Sequence, residues 1–322
     1  MVVGTGHYLP ERVLTNADLE KMVDTSDEWI TTRTGIKERH FAASDEATSD
    51  LSAIAALRAL DDANVDPEEI ELIITGTING DMKFPATSIF IQEKIGNKKA
   101  VGFDLAGACC GFLYSMVTAD ALIGAGGFNN ALVIGTEILT RVTDWTDRGT
   151  CILFGDGSGS VVLKKTDGIK GLLASDLHSD GSTTQLLYFL GEGTKYPTSK
   201  QTIDEGYHFL RMKGNEVFKH AVIQMANSSL AAIEKAGLKP SDIDLLIPHQ
   251  ANIRIIDATA KRLNFDHDRV VINIDQTGNT SSAAIPIAMD QAIKSGRMEK
   301  GMTVLMAVFG AGLTWGAAVL KY

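Results

Sequence analysis

Three cysteines in 322 residues (Cys109, Cys110 and Cys151) are too few for a disulfide-stapled scaffold, and none has zinc-site spacing. Positive charge is also scarce. Thirty Lys and Arg against 40 Asp and Glu leave a net charge of −10, which argues against nucleic acid as a general partner. The opening, MVVGTGHYLPERV, lacks the basic and long apolar regions of a signal peptide. Gly301–Leu320 carries no charge and is long enough to suggest a membrane span, but glycines at 301, 310, 312 and 316 split it into two short β-rich runs. These absences fit a reducing cytoplasm, with neither membrane nor nucleic acid as partner. What remains is ordinary globular composition, 44% hydrophobic and 22% charged, with length for one large or two medium domains.

The chain is written twice. ANVDPEEIELII (63–74) echoes AGLKPSDIDLLI (236–247), aligning Pro67 with Pro240, Ile70 with Ile243 and Leu72 with Leu245. VGFDLAGA (101–108) echoes INIDQTGN (272–279), and FGDGSGSVVLK (154–164) echoes FGAGLTWGAAVLK (309–321). Three matches in one order point to a duplicated α/β unit. The near-continuous apolar runs at 70–75, 100–105 and 131–136 read as strands covered on both faces. Two α/β halves, 1–165 and 166–322, are therefore expected to pack about a pseudo-twofold axis, each burying a central helix between sheets. One central helix is expected over 109–123 and its counterpart from near Thr280, with Pro286 in its first two turns.

Three polar positions stand out against this apolar frame. In DLAGACCGF, Cys109 opens the first central helix, where free backbone N–H groups and the positive end of the macrodipole favour thiolate. From the residues alone it is a nucleophile or a small core residue. His249, in PHQAN, directly follows the strand IDLLI, at the carboxyl end where α/β sheets place their sites; it is catalytic or a structural hydrogen bonder. Asn279, in GNTSS, is expected at a strand-to-helix junction matching that of Cys109, and the pseudo-twofold would bring the two together. Cysteine, histidine and asparagine also serve papain-like proteases, so residue types alone do not settle the reaction.

ACCGF, PHQAN, GNTSS, FGAGLTWG and the opening TNADLEKMVDTSDEWITTRTGIKERH (15–40) together resemble the β-ketoacyl-acyl-carrier-protein synthase III family. The resemblance runs from residue 3 to the C-terminus. It implies the thiolase fold, an α-β-α-β-α arrangement of two related halves, and initiation of fatty-acid synthesis. Cys109 would take an acyl group from acyl-coenzyme A, and malonyl-acyl-carrier protein would then lose carbon dioxide and condense with it. His249 and Asn279 would donate to the malonyl thioester oxygen, with backbone N–H groups of Cys109 and Ala311 forming a second oxyanion hole and Phe309 screening the site.

The resemblance further implies that Trp29 and Arg148 sandwich adenine and that Arg33 meets phosphate. Thr25, Gly214, Asn215, Phe218 and Asn252 would line the pantetheine tunnel. Read from residues alone, Trp29 is a packed indole and Arg33 a solvated charge. Arg254, Lys261 and Arg262 share one helix face, joined by Lys219; this is either solvated charge or a site for acidic acyl-carrier protein. Phe84, in KFPATS, would cross a homodimer interface to close the partner's acyl pocket, or else sit in its own core. No metal or cofactor is implied, acyl-coenzyme A being a substrate. Another thiolase-fold acyltransferase or condensing enzyme of secondary metabolism would share the scaffold. Cys110 and Ala311 depart mildly from the family pattern, and the first strand is expected to be shortened. Cys110 is expected in the core, and Cys151 is expected to be structural at the start of a strand.

Overall fold

The computed structural model describes residues 1–166 and 170–322. Its five-stranded sheet contains β1 (Val2–Tyr8), β2 (Leu72–Gly76), β3 (Val101–Leu105), β4 (Asn130–Ile138) and β5 (Asp156–Lys164), in the order β1-β5-β4-β2-β3. A second sheet contains β6 (Gly171–Ser179), β7 (Leu245–Pro248), β8 (Thr303–Gly310) and β9 (Thr314–Lys321), in the order β6-β9-β8-β7. The sheets repeat one pattern of direction. β1-β5-β4 and β6-β9-β8 are antiparallel, whereas β4-β2 and β8-β7 are parallel. The expected division at 165/166 falls between β5 and β6, beside residues 167–169, which lie outside the described residues.

Alternation along the strands explains the layers. Leu72, Ile74, Leu245, Ile247, Val304 and Met306 point into one apolar cluster between the sheets. That cluster also holds Phe112 and Leu113 of α3 (Gly111–Gly124) and Ala288 and Met289 of α6 (Ala284–Lys294). The intervening residues point outward. Ile73, Leu132 and Val162 meet α2 (Thr48–Ala63), while Leu246, Leu305 and Val319 face α4 (Gly214–Lys235) and α5 (Ile253–Leu263). The result is the five-layer α-β-α-β-α thiolase-like order. Strands buried on both faces need apolar residues at consecutive positions, which accounts for their unbroken runs.

Several expectations need correction. The run 100–105 is not covered on both faces: β3 is an edge strand, and Val101 is half exposed. The echo at 272–279 does not form a strand. The chain makes isolated bridges only, Leu246 to Val270 before a short helix over Ile274–Thr277 and Phe154 to Asn279 after it. The side chain of Gln250 replaces a strand neighbour, donating to the Val271 carbonyl (3.1 Å) and accepting from the Asn273 N–H (3.1 Å). Cys151 ends a short helix, Arg148–Cys151, rather than beginning a strand. The first strand runs seven residues, Val2–Tyr8, along β5.

Both central helices begin later than expected, each behind a 3₁₀ turn: Ala108–Cys110 before α3 and Ser281–Ala283 before α6. Ala108 (φ 47°) and Ser281 (φ 51°) adopt the same left-handed conformation at the start of their turns. Close backbone approach packs the second turn against β4. A Cβ on Gly135 would lie 2.2 Å from the Ser282 carbonyl oxygen. Gly135→Ala should therefore lower unfolding free energy by about 1–3 kcal/mol through overpacking. Gly124→Ala, where a Cβ meets nothing within 4 Å, should be neutral or slightly stabilising. Urea denaturation of the two variants measures the contrast.

Candidate active site

A cavity of about 400 Å³ collects the catalytic candidates: Cys109, His249 and Asn279 all line it. Cys109 occupies the 3₁₀ turn before α3, His249 follows the last residue of β7, and Asn279 follows the short helix 274–277. The turn Ser281–Ala283 joins them. Ser281 Oγ donates to Cys109 Sγ (3.4 Å), and the Ser281 backbone N–H donates to Asn279 Oδ1 (2.9 Å). With that oxygen engaged, Asn279 has its amide N–H groups left to donate. Ser281 was not singled out in the sequence; its place inside GNTSS was the available signal.

Burial dominates the electrostatics. The Cys109 thiol is pushed up to about 11 by desolvation, which the Ser281 hydroxyl only partly offsets. This corrects the expectation of helix activation. A helix terminus contributes roughly 0.3–1 kcal/mol at the surface and up to about 2 kcal/mol where partly buried, about one and a half pKa units at most, and α3 begins two residues after Cys109. His249 is 2% exposed, and neither ring nitrogen has a protein partner. Desolvation pushes it down from 6.5 to about 4, leaving a neutral imidazole. Cys110 is fully buried and raised further, with the Thr314 hydroxyl donating to its sulfur (3.3 Å); Cys151 is raised to about 11 by burial. Both sit in the core as expected.

The hairpin turn between β8 and β9 closes one wall. Phe309, Gly310 and Ala311 line the cavity. A Cβ on Gly310 would sit 2.9 Å from Cys109 Cβ and 3.0 Å from its backbone nitrogen, so only glycine lets the turn reach the Cys109 amide. Phe309 is held by stacking on Trp315, with centroids 6.4 Å apart. Ile78, Leu139, Leu153 and Phe154 supply apolar wall.

Arg33, Gly214, Asn215, Phe218, Asn252 and Arg254 line the same cavity. Asn252 also caps α5, its side chain accepting from the Arg254 N–H (2.9 Å). Trp29, Arg148 and Thr25 do not line it, although Trp29 is flanked by Arg33 (4.7 Å to the ring centroid) and Arg148 (4.8 Å). Two stacked gaps of about 3.5 Å each are needed to sandwich a planar ring, so the 4.8 Å between Arg148 and Trp29 leaves no room for one between them. Lys219, Lys261 and Arg262 are exposed outside the cavity, and Arg254 crosses the Phe218 ring (5.3 Å) at its edge. Phe84 is 82% exposed, which overturns the core reading, and it does not line its own chain's cavity. Among the described residues no His, Cys, Asp and Glu cluster could hold a metal.

The neutral state of His249 has a direct check. The unfolded chain takes up this proton near pH 6.5 and the folded chain only near pH 4, so this group lowers stability as pH falls between them. An NMR titration of the assigned ring should show a midpoint near pH 4; a midpoint near 6.5 would contradict the burial argument.

Comparison with known proteins gives one consistent result. The profile described as 3-Oxoacyl-[acyl-carrier-protein (ACP)] synthase III matches residues 103–181, and that of its C-terminal domain matches residues 233–322. Beta-ketoacyl-[acyl-carrier-protein] synthase III of Desulfitobacterium hafniense is 53% identical over 321 residues, covering 100% of this chain and 97% of the relative. The crystal structure of 3-oxoacyl-[acyl-carrier-protein] synthase III from Aquifex aeolicus VF5 superposes with a TM-score of 0.93 at 46% identity, covering 100% and 99%. The Thermus thermophilus enzyme gives 0.93 at 44%, covering 100% and 98%. With both profiles and full-length relatives in agreement, the chain belongs to the β-ketoacyl-acyl-carrier-protein synthase III family.

Proposed function

We propose that Cys109, His249 and Asn279 carry out the family reaction here. The reaction is decarboxylative condensation of a short acyl-coenzyme A, acetyl-coenzyme A first among them, with malonyl-acyl-carrier protein. The protein is an acyltransferase that initiates fatty-acid synthesis through an acyl-cysteine. The observation that supports these site roles best is the meeting of the three side chains in one largely apolar cavity with arginines at its edge.

The Cys109 sulfur attacks the thioester carbonyl, and its proton leaves with the coenzyme A thiolate as free thiol. Backbone N–H groups of Cys109 and Ala311 hold the transient oxyanion. Malonyl-acyl-carrier protein then loses carbon dioxide, and its enolate oxygen is held by neutral His249 and the Asn279 amide. The enolate carbon attacks the acyl-cysteine, β-ketoacyl-acyl-carrier protein leaves, and Cys109 regains a proton. A buried neutral imidazole suits donation, because it need not lose a proton to act.

Arg33, and Trp29 with Arg148 once opened, would take the nucleotide end of coenzyme A, with Thr25 beside them. Gly214, Asn215, Phe218 and Asn252 would follow the pantetheine arm. Lys219, Arg254, Lys261 and Arg262 would receive the acidic carrier protein. A homodimer is supported by the exposed edge strand β3 and by Phe84, whose outward ring could close the partner's acyl pocket. The two halves would divide at 165/166. The protein would act in the cytoplasm without a resident cofactor; among the described residues no helix is long and apolar enough to cross a membrane.

His249→Ala should still acquire one acetyl group from labelled acetyl-coenzyme A, mapped to Cys109. It should lose malonyl decarboxylation by about two to three orders of magnitude. Cys109→Ala should accept no acetyl group, and label on Cys110 or Cys151 would overturn the assignment. Arg254 also lines the cavity, so Lys261→Glu with Arg262→Glu isolates the carrier-protein patch. That pair should weaken malonyl-acyl-carrier-protein use and its salt dependence while acetyl transfer from coenzyme A proceeds. Equal loss in both half-reactions would remove the patch.

A further inference from the structure

Glu137 is fully buried near the end of β4, and no described Lys, Arg or His pairs with it. Its partners lie on one segment, the chain leaving the neighbouring parallel strand β2. The Ile78 N–H donates to both carboxyl oxygens (3.2 and 3.4 Å), and the Thr77 hydroxyl donates to Oε2 (3.3 Å). The β2–β4 ladder ends at Gly76 and Gly135, so the backbone N–H of Ile78 falls beyond it and requires another acceptor. Asn79 reinforces the join, its side chain donating to the Ile138 carbonyl (2.8 Å) and its N–H to Thr77 Oγ1 (3.2 Å). Farther along, Asp81 accepts from the Ser49 N–H (2.8 Å) and hydroxyl (2.6 Å).

The segment tied down in this way carries a wall of the cavity. Ile78 lines the space that holds Cys109. We infer that Glu137 is a positioning residue for primer selection: by fixing the backbone of Thr77 and Ile78, it sets how much room the acyl chain has beside Cys109. Its carboxyl needs no charge for this. Burial holds its proton up to about 8, and a neutral group can accept from Ile78 while sharing a hydrogen with Thr77 Oγ1. Glutamine offers the same acceptor and donor in the same shape.

This inference rests on Cys109 being the acyl acceptor. In the full-length protein, acylation by acetyl-coenzyme A and by hexanoyl-coenzyme A is followed by intact mass and by release of free thiol. Glu137→Ala should shift the acetyl-to-hexanoyl ratio of kcat/KM by about tenfold toward the longer primer, the size of effect that pocket volume commonly exerts. Glu137→Gln should restore the ratio to within about twofold of the original protein. A folded Glu137→Ala with an unchanged ratio would overturn the inference, as would an equal shift in Glu137→Gln. Should Glu137→Ala fail to fold, Thr77→Val removes one donor at constant shape; a shift in the same direction supports the inference and an unchanged ratio overturns it. If the unaltered protein is not acylated on Cys109 at all, the proposed function fails, and the inference with it.

Discussion

The close approach of two helix-initiating turns, Ala108–Cys110 and Ser281–Ala283, at the centre of the molecule constrains everything around it. Each sheet must bury one face, and α3 with α6 fill the space between them, so the chain entering each helix is forced inward as well. The turns meet through Ser281 Oγ and Cys109 Sγ (3.4 Å), and both are pressed onto strand backbone. A Cβ on Gly76 would lie 2.3 Å from the Gly111 carbonyl carbon, and one on Gly135 would strike Ser282. Side chains at these two strand positions would push the start of α3 and the second turn off the sheet, displacing the segments that carry Cys109 and Asn279. The same compression buries the hydroxyls of Thr280 and Ser282 and, on the strands behind them, Thr136, Ser158 and Ser160.

Burial also sets the charge state of the centre. Desolvation opposes whichever form of a group is charged, so it raises cysteine and glutamate and lowers histidine. Cys109, His249 and Glu137 accordingly move in the directions that leave each neutral at neutral pH. The site is thus built of neutral dipoles: an imidazole, a side-chain amide and backbone N–H groups. Charge appears there only when an oxyanion forms. In a low-dielectric interior, fixed donors stabilise that charge more strongly than water does, and they need not reorganise to do so. A site ionised at rest would carry a desolvation cost without the matching gain during reaction.

The periodic parts of this fold were legible in the sequence, because strands covered on both faces must be apolar at every position. Repeated motifs gave the duplication, and short motifs gave Cys109, His249 and Asn279. The remaining features depend on nonlocal arrangement. Val101 belongs to a run as apolar as its neighbours, and only strand order makes it an edge residue. The segment 272–279 copies a strand sequence but turns away, because Gln250 satisfies backbone groups a neighbouring strand would otherwise take. The Cys109 thiol was expected to be acidified by its helix. The dipole is a local property that sequence reveals, whereas the larger desolvation comes from packing by the other half of the chain. Glu137 is one acidic residue at a strand end until Thr77 and Ile78 are seen to converge on it.

The division of labour between interior and entrance follows from the same electrostatics. The chain carries net charge −10, yet Arg33 and Arg148 flank Trp29, and Arg254 lies over Phe218 at the cavity edge. Asp24 lies 3.9 Å from Arg148, while carboxylates farther away act weakly on a ligand at that entrance, because charge interactions are screened over about 8 Å at physiological salt. The nearby guanidinium groups lie within that range and dominate. Their planar faces also lie over the aromatic rings. Capture of anionic groups is thereby assigned to permanent charges in water, where desolvation is small. In the proposed reaction bond making falls to neutral donors about Cys109, where a permanent charge would be costly. An arginine moved inward would bind phosphate no better and would need a buried counter-ion, while a neutral entrance would forgo long-range attraction. Cations outside and uncharged dipoles inside meet both demands along a single cavity.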